Sequence, residues 1–360
     1  MADAETKPRS ELGDQVRSLV ERTINRGIKG VEYIASPLPQ IGVTPKDLLL
    51  ERGTLRFYHY RPLAEEVYRV PILLVMATTN RGSIFDLAPG HSLVEFLLRQ
   101  GYDIYMMDWE APRQHEKGLT IGSYVRDFIP HCLELMAMDS GEPDATMIGY
   151  CFGGVLSLIY NALHLDGPVR NLVTFTTPTD FSKMELFHNW ANRAHFDVDR
   201  LVDTLGNVPG DMLMGSFEML KPVSRSAGQA RLWDNMWNDP FVQSFRKIDR
   251  WANDMLPLAG EYFRETTRKL MWENGLMTGE LEIDGQRADI SQICVPFLHV
   301  IAEHDHIVPY DASHPLIDRI GSTDKQEIVL KGGHVSLVAG PNAVKRLWPQ
   351  LDIWLQERSL

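Results

Sequence analysis

The sequence has few cysteines and no long apolar run. Its three cysteines, Cys132, Cys151 and Cys294, are too few for a disulfide framework, and they include no CxxC pair for a structural zinc site. The most apolar stretches, such as residues 70–77, are far shorter than the about 20 residues that span a bilayer. The polar start MADAETKPRS lacks the apolar region of a secretory signal. We therefore expect a reduced, soluble, cytoplasmic protein with no transmembrane segment.

Positive charge is also scarce. The 36 Lys and Arg residues against 48 Asp and Glu residues give a formal net charge of −12. An acidic chain of this kind is repelled by nucleic acid and by anionic membranes, although a local basic pocket stays compatible with it. Apolar residues at 44% and charged residues at 23% are ordinary for a globular protein and exclude a mainly disordered or coiled-coil chain.

Short apolar runs alternate with helical patterns along the chain. The predicted strands are residues 55–60, 70–77, 103–109, 145–149, 171–175, 295–301 and 326–330, and the predicted helices include 92–100, 121–137 and 154–164. This alternation, with strands that are apolar on both faces, predicts an α/β fold with a mostly parallel sheet. The expected organisation is a helical lead-in over 1–54, a core of 55–180 and 291–360, and an inserted helical cap over 181–290, where no buried strand is predicted.

One motif carries chemistry. The string GYCFGG at 149–154 follows a predicted strand and opens a predicted helix, which is the G-x-S-x-G nucleophile elbow of α/β-hydrolase folds with cysteine in place of serine. Small residues are needed on either side because the turn is tight. The helix N-terminus favours a thiolate at Cys151, and the backbone N–H of Phe152 can donate to an oxyanion. The alternative is a buried structural thiol in a glycine-rich turn, but strand, turn and helix together favour a nucleophile.

An elbow nucleophile needs an acid and a histidine later in the chain, in that order. Asp305 follows the strand at 295–301, and His334 follows the strand at 326–330 in the string KGGH. The carboxyl ends of parallel strands are where open α/β sheets bind ligands. We therefore predict His334 as the base and Asp305 as the acid that sets its tautomer. Asp180, in the loop after residues 171–175, stays open as an alternative acid.

Other residues near the predicted triad also receive assignments. The loop after the strand at 70–77 carries no HGGG string, and the backbone N–H of Thr79 is the candidate for the second oxyanion donor, with a simple turn role as the alternative. His304 and His306 flank Asp305 without the other ligands a metal site needs, so His306 is expected to touch substrate or support Asp305. Cys132 and Cys294 are expected to fill the core.

The chain resembles the catalytic subunits of polyhydroxyalkanoate synthases, especially the short kind that works with a second subunit. The resemblance covers nearly the whole chain from Ile41. It is carried by the following strings: GYCFGG at 149–154, TNR at 79–81, DWEAP at 108–112, NLVT at 171–174 leading to TPTDF at 177–181, DHIVP at 305–309 and GGH at 332–334. The order and spacing of these strings are specific. One departure is Glu110, where the family has a small residue after Asp-Trp.

The resemblance implies a reaction. Cys151 would be acylated by an (R)-3-hydroxyacyl-coenzyme A thioester, for example 3-hydroxybutyryl-coenzyme A, and elongation would form oxoesters with release of coenzyme A. His334 and Asp305 would complete the triad, and no cofactor would be needed beyond the coenzyme A that the substrate carries. Arg81 and the basic residues of the cap are candidates to bind coenzyme A. Single-subunit synthases carry a long N-terminal domain that this chain lacks, so the resemblance implies a small non-catalytic partner subunit, a homo-dimer or hetero-oligomer, and work at a polymer granule.

Two other functions remain open. A cysteine α/β-hydrolase, either a thioesterase or a dienelactone-hydrolase-like enzyme, would use the same triad, although the large predicted cap and the DHIVP string disfavour it. A non-enzymatic granule protein built on the same fold is disfavoured because the sequence offers all three residues of the predicted triad.

Overall fold

The computed structural model describes residues 9–360 and divides into two compact units. The sheet unit comprises Ile41–Leu220 and Trp251–Leu360. The helical unit comprises Lys221–Arg250 and the described part of Met1–Gln40.

The sheet unit is built on eight strands. The main sheet has the order β1-β2-β4-β3-β5-β6-β9-β10, in which β1, β2 and β4 pair antiparallel and all later pairings are parallel. A separate hairpin pairs β7 with β8. The strands are β1 Lys46–Arg52, β2 Leu55–Tyr60, β3 Ile72–Val75, β4 Ile104–Trp109, β5 Ala145–Tyr150, β6 Val169–Phe175, β7 Glu282–Ile283, β8 Gln286–Arg287, β9 Phe297–Ala302 and β10 Lys325–Leu330.

Helices connect the strands and fill the insertion. The α-helices are α1 Arg9–Ala35, α2 Leu93–Arg99, α3 Ile129–Ser140, α4 Phe152–Leu163, α5 Glu185–Trp190, α6 Val198–Leu205, α7 Gly210–Leu220, α8 Ser224–Asp234, α9 Asp239–Ala252, α10 Gly260–Glu265, α11 Gly275–Thr278, α12 Tyr310–Ser313, α13 Pro315–Arg319, α14 Ser336–Ala339 and α15 Trp348–Gln356. Three π-helical segments are Ser123–Phe128, Thr266–Trp272 and Ala343–Leu347.

The predicted strands are confirmed, with ends that shift by no more than two residues. Every residue of β3, β5 and β9 is buried, as expected of parallel strands that are covered on both faces. The predicted mostly parallel α/β-hydrolase sheet is therefore correct.

The expected helical lead-in over residues 1–54 differs from the structure near its end. Helix α1 lies within it, but β1 joins the sheet and pairs with β2. This edge strand is mostly exposed, and its register shifts between Leu48 and Leu50. A bulged, exposed strand lacks the period-2 alternation that marks a strand in sequence, and the run KDLLLER therefore gave no strand signal.

The segment expected to form the cap, residues 181–290, is helical from α5 to α11 and ends in the β7–β8 hairpin. Most of it belongs to the sheet unit, whereas residues 221–250 belong to the helical unit with α1. Among residues 9–360, no helix combines the length and the apolar character needed to cross a bilayer.

The helical unit has its own small core. Leu232, Met236 and Val242 are buried together, with Tyr33, Phe241 and Phe245 packed against them. Lys29 on α1 pairs with Asp239 on α9 at 3.1 Å. Five large apolar side chains of α1 nevertheless remain 49–84% exposed: Val20, Ile24, Ile28, Val31 and Ile34.

Candidate active site

The GYCFGG string forms the predicted turn between strand and helix. Cys151 lies between β5 and α4, with the unusual backbone angles φ 53° and ψ −121°. Its N–H donates to the carbonyl of Phe175 on β6 at 2.9 Å. A non-glycine residue with positive φ is strained, and such strain is commonly found where a side chain must be presented to a ligand. The thiol therefore stands at the N-terminus of α4, half-buried.

The glycines of the string allow three close approaches. A Cβ on Gly153 would lie 2.1 Å from the carbonyl oxygen of Val75, and one on Gly149 would lie 2.5 Å from the Cα of Gly154. A Cβ on Gly154 would lie 1.9 Å from Oγ1 of Thr177. These distances are far below van der Waals contact. The sequence therefore has glycine at these positions because α4 packs directly on β3, β5 and the end of β6.

Asp305 and His334 meet as predicted from their positions after β9 and β10. Nδ1 of His334 lies 2.6 Å from Oδ2 of Asp305, and both side chains are almost fully buried. The other carboxylate oxygen of Asp305 accepts the backbone N–H groups of Ile307 at 2.8 Å and Val308 at 2.9 Å. Because an ionised carboxylate only accepts, Nδ1 of His334 carries a proton and Nε2 is the nitrogen left for chemistry.

The electrostatics of His334 favour its charged form. Burial alone would lower its pKa, but the charge of Asp305 and the neighbouring Cys151 outweigh burial and raise the pKa to about 10. An imidazolium next to a cysteine stabilises the thiolate. Asp305 and the raised pKa of His334 therefore place a positively charged imidazole ring beside the Cys151 thiol.

Asp180, the alternative acid, is occupied elsewhere. Its Oδ1 accepts the N–H of Ser182 at 3.1 Å, the Ser182 hydroxyl at 2.6 Å and the side-chain amide of Asn274 at 2.9 Å. Asp180 thus caps the short 3₁₀ turn Phe181–Lys183 and ties it to the residue before α11. This arrangement favours Asp305 as the partner of His334.

A cavity of about 370 Å³ opens onto Cys151, within the size range of small-molecule sites. No charged side chain lines it among the residues that the structure describes. Its wall combines the elbow, the loop after β3, the cap helices and the segment after Asp305: Thr78, Thr79, Cys151, Phe152, Pro178, Phe181, Met184, Phe187, Trp190, Ala191, Phe196, Val208, Met212, Leu213, Ser216, Phe217, Met219, Leu258, Tyr262, Phe263, Thr266, Thr267, Met271, Ile307 and Val308. Such a cavity suits an apolar acyl group and excludes ions.

Both predicted oxyanion donors line this cavity with Cys151. Phe152 is the first residue of α4, where amides have no acceptor within the helix. Thr79 lies in the loop after β3, and its carbonyl accepts the N–H of Leu256 at 2.8 Å. Both residues line the cavity together with Cys151, and their roles as amide donors stay a prediction.

The Asp-Trp segment holds that loop in place, a role that sequence reasoning missed. Oδ1 of Asp108 accepts the N–H of Gly82 at 2.7 Å, and the indole N–H of Trp109 donates to the carbonyl of Met76 at 2.9 Å. Glycine suits this close approach, since a Cβ on Gly82 would lie 2.3 Å from the sulfur of Met106, whose side chain would have to shift. The signal in the sequence was that Asp108 lies near the end of a predicted strand, where its carboxylate can reach a loop at the same edge of the sheet.

Glu110, the departure from the family pattern, has a structural partner. Its carboxylate pairs with Arg81 at 2.7 Å, and Arg81 also contacts Asp254 at 3.4 Å. The guanidinium further donates to the carbonyl of Trp109 at 2.8 Å. Arg81 is therefore committed to holding the loop, which disfavours it as a ligand for coenzyme A phosphates.

The remaining candidates lie away from the cavity wall. His306 is exposed, whereas its neighbours Ile307 and Val308 line the cavity. Cys132 is fully buried in the core, as expected. Cys294, by contrast, is exposed, and the expectation that it fills the core was wrong, because it precedes the buried part of β9. Among residues 9–360, no group of three or more His, Cys, Asp and Glu side chains could hold a metal ion.

Comparison with known proteins identifies the fold as that of the α/β hydrolases. A family model described as alpha/beta hydrolase fold matches residues 82–341. A soluble variant of monoglyceride lipase from Saccharomyces cerevisiae has a similar structure, with a TM-score of 0.57 and 16% identity, covering 90% of this chain and 100% of that one. A thermophilic esterase from Thermogutta terrifontis gives a TM-score of 0.53 at 13% identity, covering 88% and 100%.

Sequence relatives are more specific. Several carry the name poly(3-hydroxyalkanoate) polymerase subunit PhaC, among them the following three. The relative from Haloferax mediterranei is 32% identical over 96% of this chain and 70% of its own length. The one from Allochromatium vinosum is 36% identical over 88% and 90%, and that from a Synechocystis species is 30% identical over 92% and 89%. The chain therefore belongs to the poly(3-hydroxyalkanoate) polymerase PhaC family, the acyltransferases of the α/β-hydrolase superfamily that provide the catalytic subunit of polyhydroxyalkanoate synthase.

Proposed function

We propose that the chain polymerises short-chain (R)-3-hydroxyacyl groups from coenzyme A thioesters, with Cys151 as nucleophile, His334 as base and Asp305 as acid. The observation that carries this proposal is the Asp305–His334 pair beside a thiol that opens into an apolar cavity without charged side chains. The cavity accepts the acyl group, and the coenzyme A phosphates stay outside it because it offers them no cation.

Acylation proceeds by attack of the Cys151 thiolate on the thioester carbonyl. The amides of Phe152 and Thr79 hold the oxyanion of the tetrahedral intermediate. The bond between the carbonyl carbon and the coenzyme A sulfur then breaks, and the leaving thiolate takes a proton from the His334 imidazolium. The exchange of one thioester for another costs little free energy.

Elongation is the downhill step. The 3-hydroxyl oxygen of a second hydroxyacyl unit attacks the carbonyl of the Cys151 thioester, and Nε2 of His334 accepts the hydroxyl proton. An ester bond forms, the bond to the Cys151 sulfur breaks, and the thiolate is regenerated. The cap residues that line the cavity exclude water, which would otherwise release a free acid. No cofactor takes part besides the coenzyme A of the substrate.

The experiment mixes the purified chain with 3-hydroxybutyryl-coenzyme A and follows thiol release together with turbidity. The proposal expects thiol release with insoluble polymer, an acyl adduct on Cys151 by mass spectrometry, and neither in Cys151→Ala. Thiol release with only soluble hydroxy acid would instead make the chain a thioesterase. His306→Ala is expected to retain most activity, because the His306 ring is exposed and does not line the cavity.

We further propose a small non-catalytic partner subunit that binds α1. The relatives are named as subunits, and the exposed side chains of Val20, Ile24, Ile28 and Val31 follow helical spacing along one side of α1. Assembly as a homo-dimer is the alternative. Size-exclusion chromatography with light scattering, with and without the co-expressed small subunit, distinguishes the two, and Ile28→Asp with Val31→Asp is expected to abolish the hetero-oligomer.

The proposed place of work is the surface of cytoplasmic polymer granules, because the product is an apolar polyester. After each elongation step the lengthened chain, which carries the coenzyme A thioester of the added unit, returns to Cys151 by a new acylation. A fluorescent fusion of the full chain is expected to outline granules in polymer-producing cells and to be diffuse in cells that lack polymer.

A further inference from the structure

One hydroxyl group that lines the Cys151 cavity donates no hydrogen bond among the described residues. Six hydroxyl-bearing side chains line the cavity, and the structure gives five of them an acceptor. Thr79 donates to Asn80, Ser216 to the carbonyl of Met212, Thr266 and Thr267 to the carbonyl of Phe263, and Thr78 to the hydroxyl oxygen of Tyr262. Tyr262 accepts that bond at 3.4 Å, and no hydrogen bond among the described residues uses its own proton.

Tyr262 is held firmly in place. It lies in α10, is 1% exposed, and its ring packs against Phe152 of the elbow with centroids 6.4 Å apart and against Tyr124 at 4.7 Å. The start of α10 is fixed as well, since a Cβ on Gly260 would lie 2.0 Å from the carbonyl oxygen of Gly206. Burial raises the pKa of Tyr262, and the phenol therefore keeps its proton at neutral pH.

A buried donor without an acceptor is costly, and no hydrogen bond among the described residues uses the proton of Tyr262. A bound ligand can supply the acceptor. The carbonyl oxygen of the acyl group is already served by the proposed amide donors Phe152 and Thr79, and a plain hydrocarbon chain has no further oxygen. Within the acyl group, which is the part of the substrate that the cavity is proposed to hold, the 3-hydroxyl is the one acceptor besides the thioester carbonyl.

We propose that Tyr262, oriented by Thr78, donates a hydrogen bond to the hydroxyl oxygen of the acyl group and thereby selects hydroxyacyl over plain acyl thioesters. This inference rests on the proposed function, in which a hydroxyacyl thioester acylates Cys151. A donor on the hydroxyl oxygen fixes the chain within the cavity.

The test is a single-turnover comparison of two substrates. Coenzyme A release is measured with enzyme in excess over 3-hydroxybutyryl-coenzyme A or butyryl-coenzyme A, and the adduct on Cys151 is verified by mass spectrometry. Tyr262→Phe keeps the ring and removes only the hydroxyl. We expect it to reduce the ratio of the two acylation rates about tenfold, the size expected for one hydrogen bond in a dry site. The reduction comes from slower acylation by the hydroxy substrate.

Two further variants complete the test. Thr78→Val removes the group that orients Tyr262 and is expected to reduce the same ratio by a smaller factor. Tyr124→Phe removes a phenol oxygen from the same aromatic cluster but outside the cavity wall, and it is expected to leave the ratio unchanged.

The outcomes separate this inference from the proposed function. An unchanged ratio in Tyr262→Phe overturns the inference, and so does an equal slowing of both substrates, which would place the tyrosine on the carbonyl oxygen or in packing. If neither thioester acylates Cys151 in the wild-type chain, the proposed function itself is wrong.

Discussion

The hydrogen bonds of Asp305 make Asp305→Asn an unusually informative substitution. Oδ1 of Asp305 is held by two backbone N–H groups, from Ile307 and Val308, and Oδ2 faces Nδ1 of His334 at 2.6 Å. An asparagine must keep its oxygen toward the two amides, because its NH2 group cannot accept from them. The NH2 group then points at His334 and forces Nδ1 to accept.

The consequence is the wrong tautomer. With Nδ1 as acceptor, the neutral imidazole carries its proton on Nε2, which then faces Cys151 and cannot take up a proton. Loss of the Asp305 charge also removes the main interaction that raises the pKa of His334. For catalytic triads this tautomer error costs about 10⁴-fold in rate, or about 5 kcal/mol of transition-state stabilisation.

The assay separates the two half-reactions. Stopped-flow thiol release measures acylation, and polymer formation in the steady state measures elongation. Elongation is expected to suffer more, because an alkyl hydroxyl is a much weaker acid than a thiol and therefore depends more on proton removal by His334. Asp180→Asn is the matched control, since its oxygen can still accept from Ser182 and Asn274.

A loss smaller than about tenfold in a folded Asp305→Asn protein would refute this reasoning. The same conclusion would follow if Asp180→Asn caused the larger loss. A thermal melt of each variant excludes unfolding as the cause.

Three further predictions concern the site and its support. His334→Gln is expected to slow alkylation of Cys151 by iodoacetamide at pH 7 at least about tenfold, because the imidazolium that stabilises the thiolate is lost. Equal alkylation rates would contradict the ion pair. Burial lowers the pKa of His299 to about 4, so between that value and its unfolded value of about 6.5 the unfolded state binds a proton that the folded state does not. Stability therefore falls as pH falls, by about 2 kcal/mol from this group at pH 5. Urea unfolding of wild type and His299→Gln at pH 7 and pH 5 measures this loss of stability. If the unfolding free energy of both proteins falls by the same amount between the two pH values, His299 is not a neutral buried imidazole. Gly153→Ala is expected to lower the melting temperature and the reactivity of Cys151, because the new Cβ would lie 2.1 Å from the carbonyl oxygen of Val75. Gly215→Ala in α7, where no atom lies within 4 Å of the new Cβ, serves as its control and should be neutral or slightly stabilising.

The sequence determined the parts of the molecule that are set by local pattern. Apolar runs of strand length located the parallel strands, and the glycine spacing around Cys151 located the elbow. Asp305 and His334 were found because each follows such a strand directly, and parallel strands end at one edge of the sheet. In each case the feature that causes the structure, an apolar run of strand length or a tight glycine-flanked turn, lies within a few consecutive residues.

The tertiary structure alone decided what depends on distant partners. Asp180 and Asp305 are both acids in loops after strands, and only their hydrogen bonds to Asn274 and His334 separate their roles. The pairing of Arg81 with Glu110 converts a candidate ligand for phosphate into a support for the loop after β3. The strand β1 escaped prediction because its pairing with β2, rather than its own pattern, defines it. Thr78 and Tyr262 meet at the cavity although 184 positions separate them in the chain, and a linear pattern carries no information about such a contact because packing of the whole fold creates it.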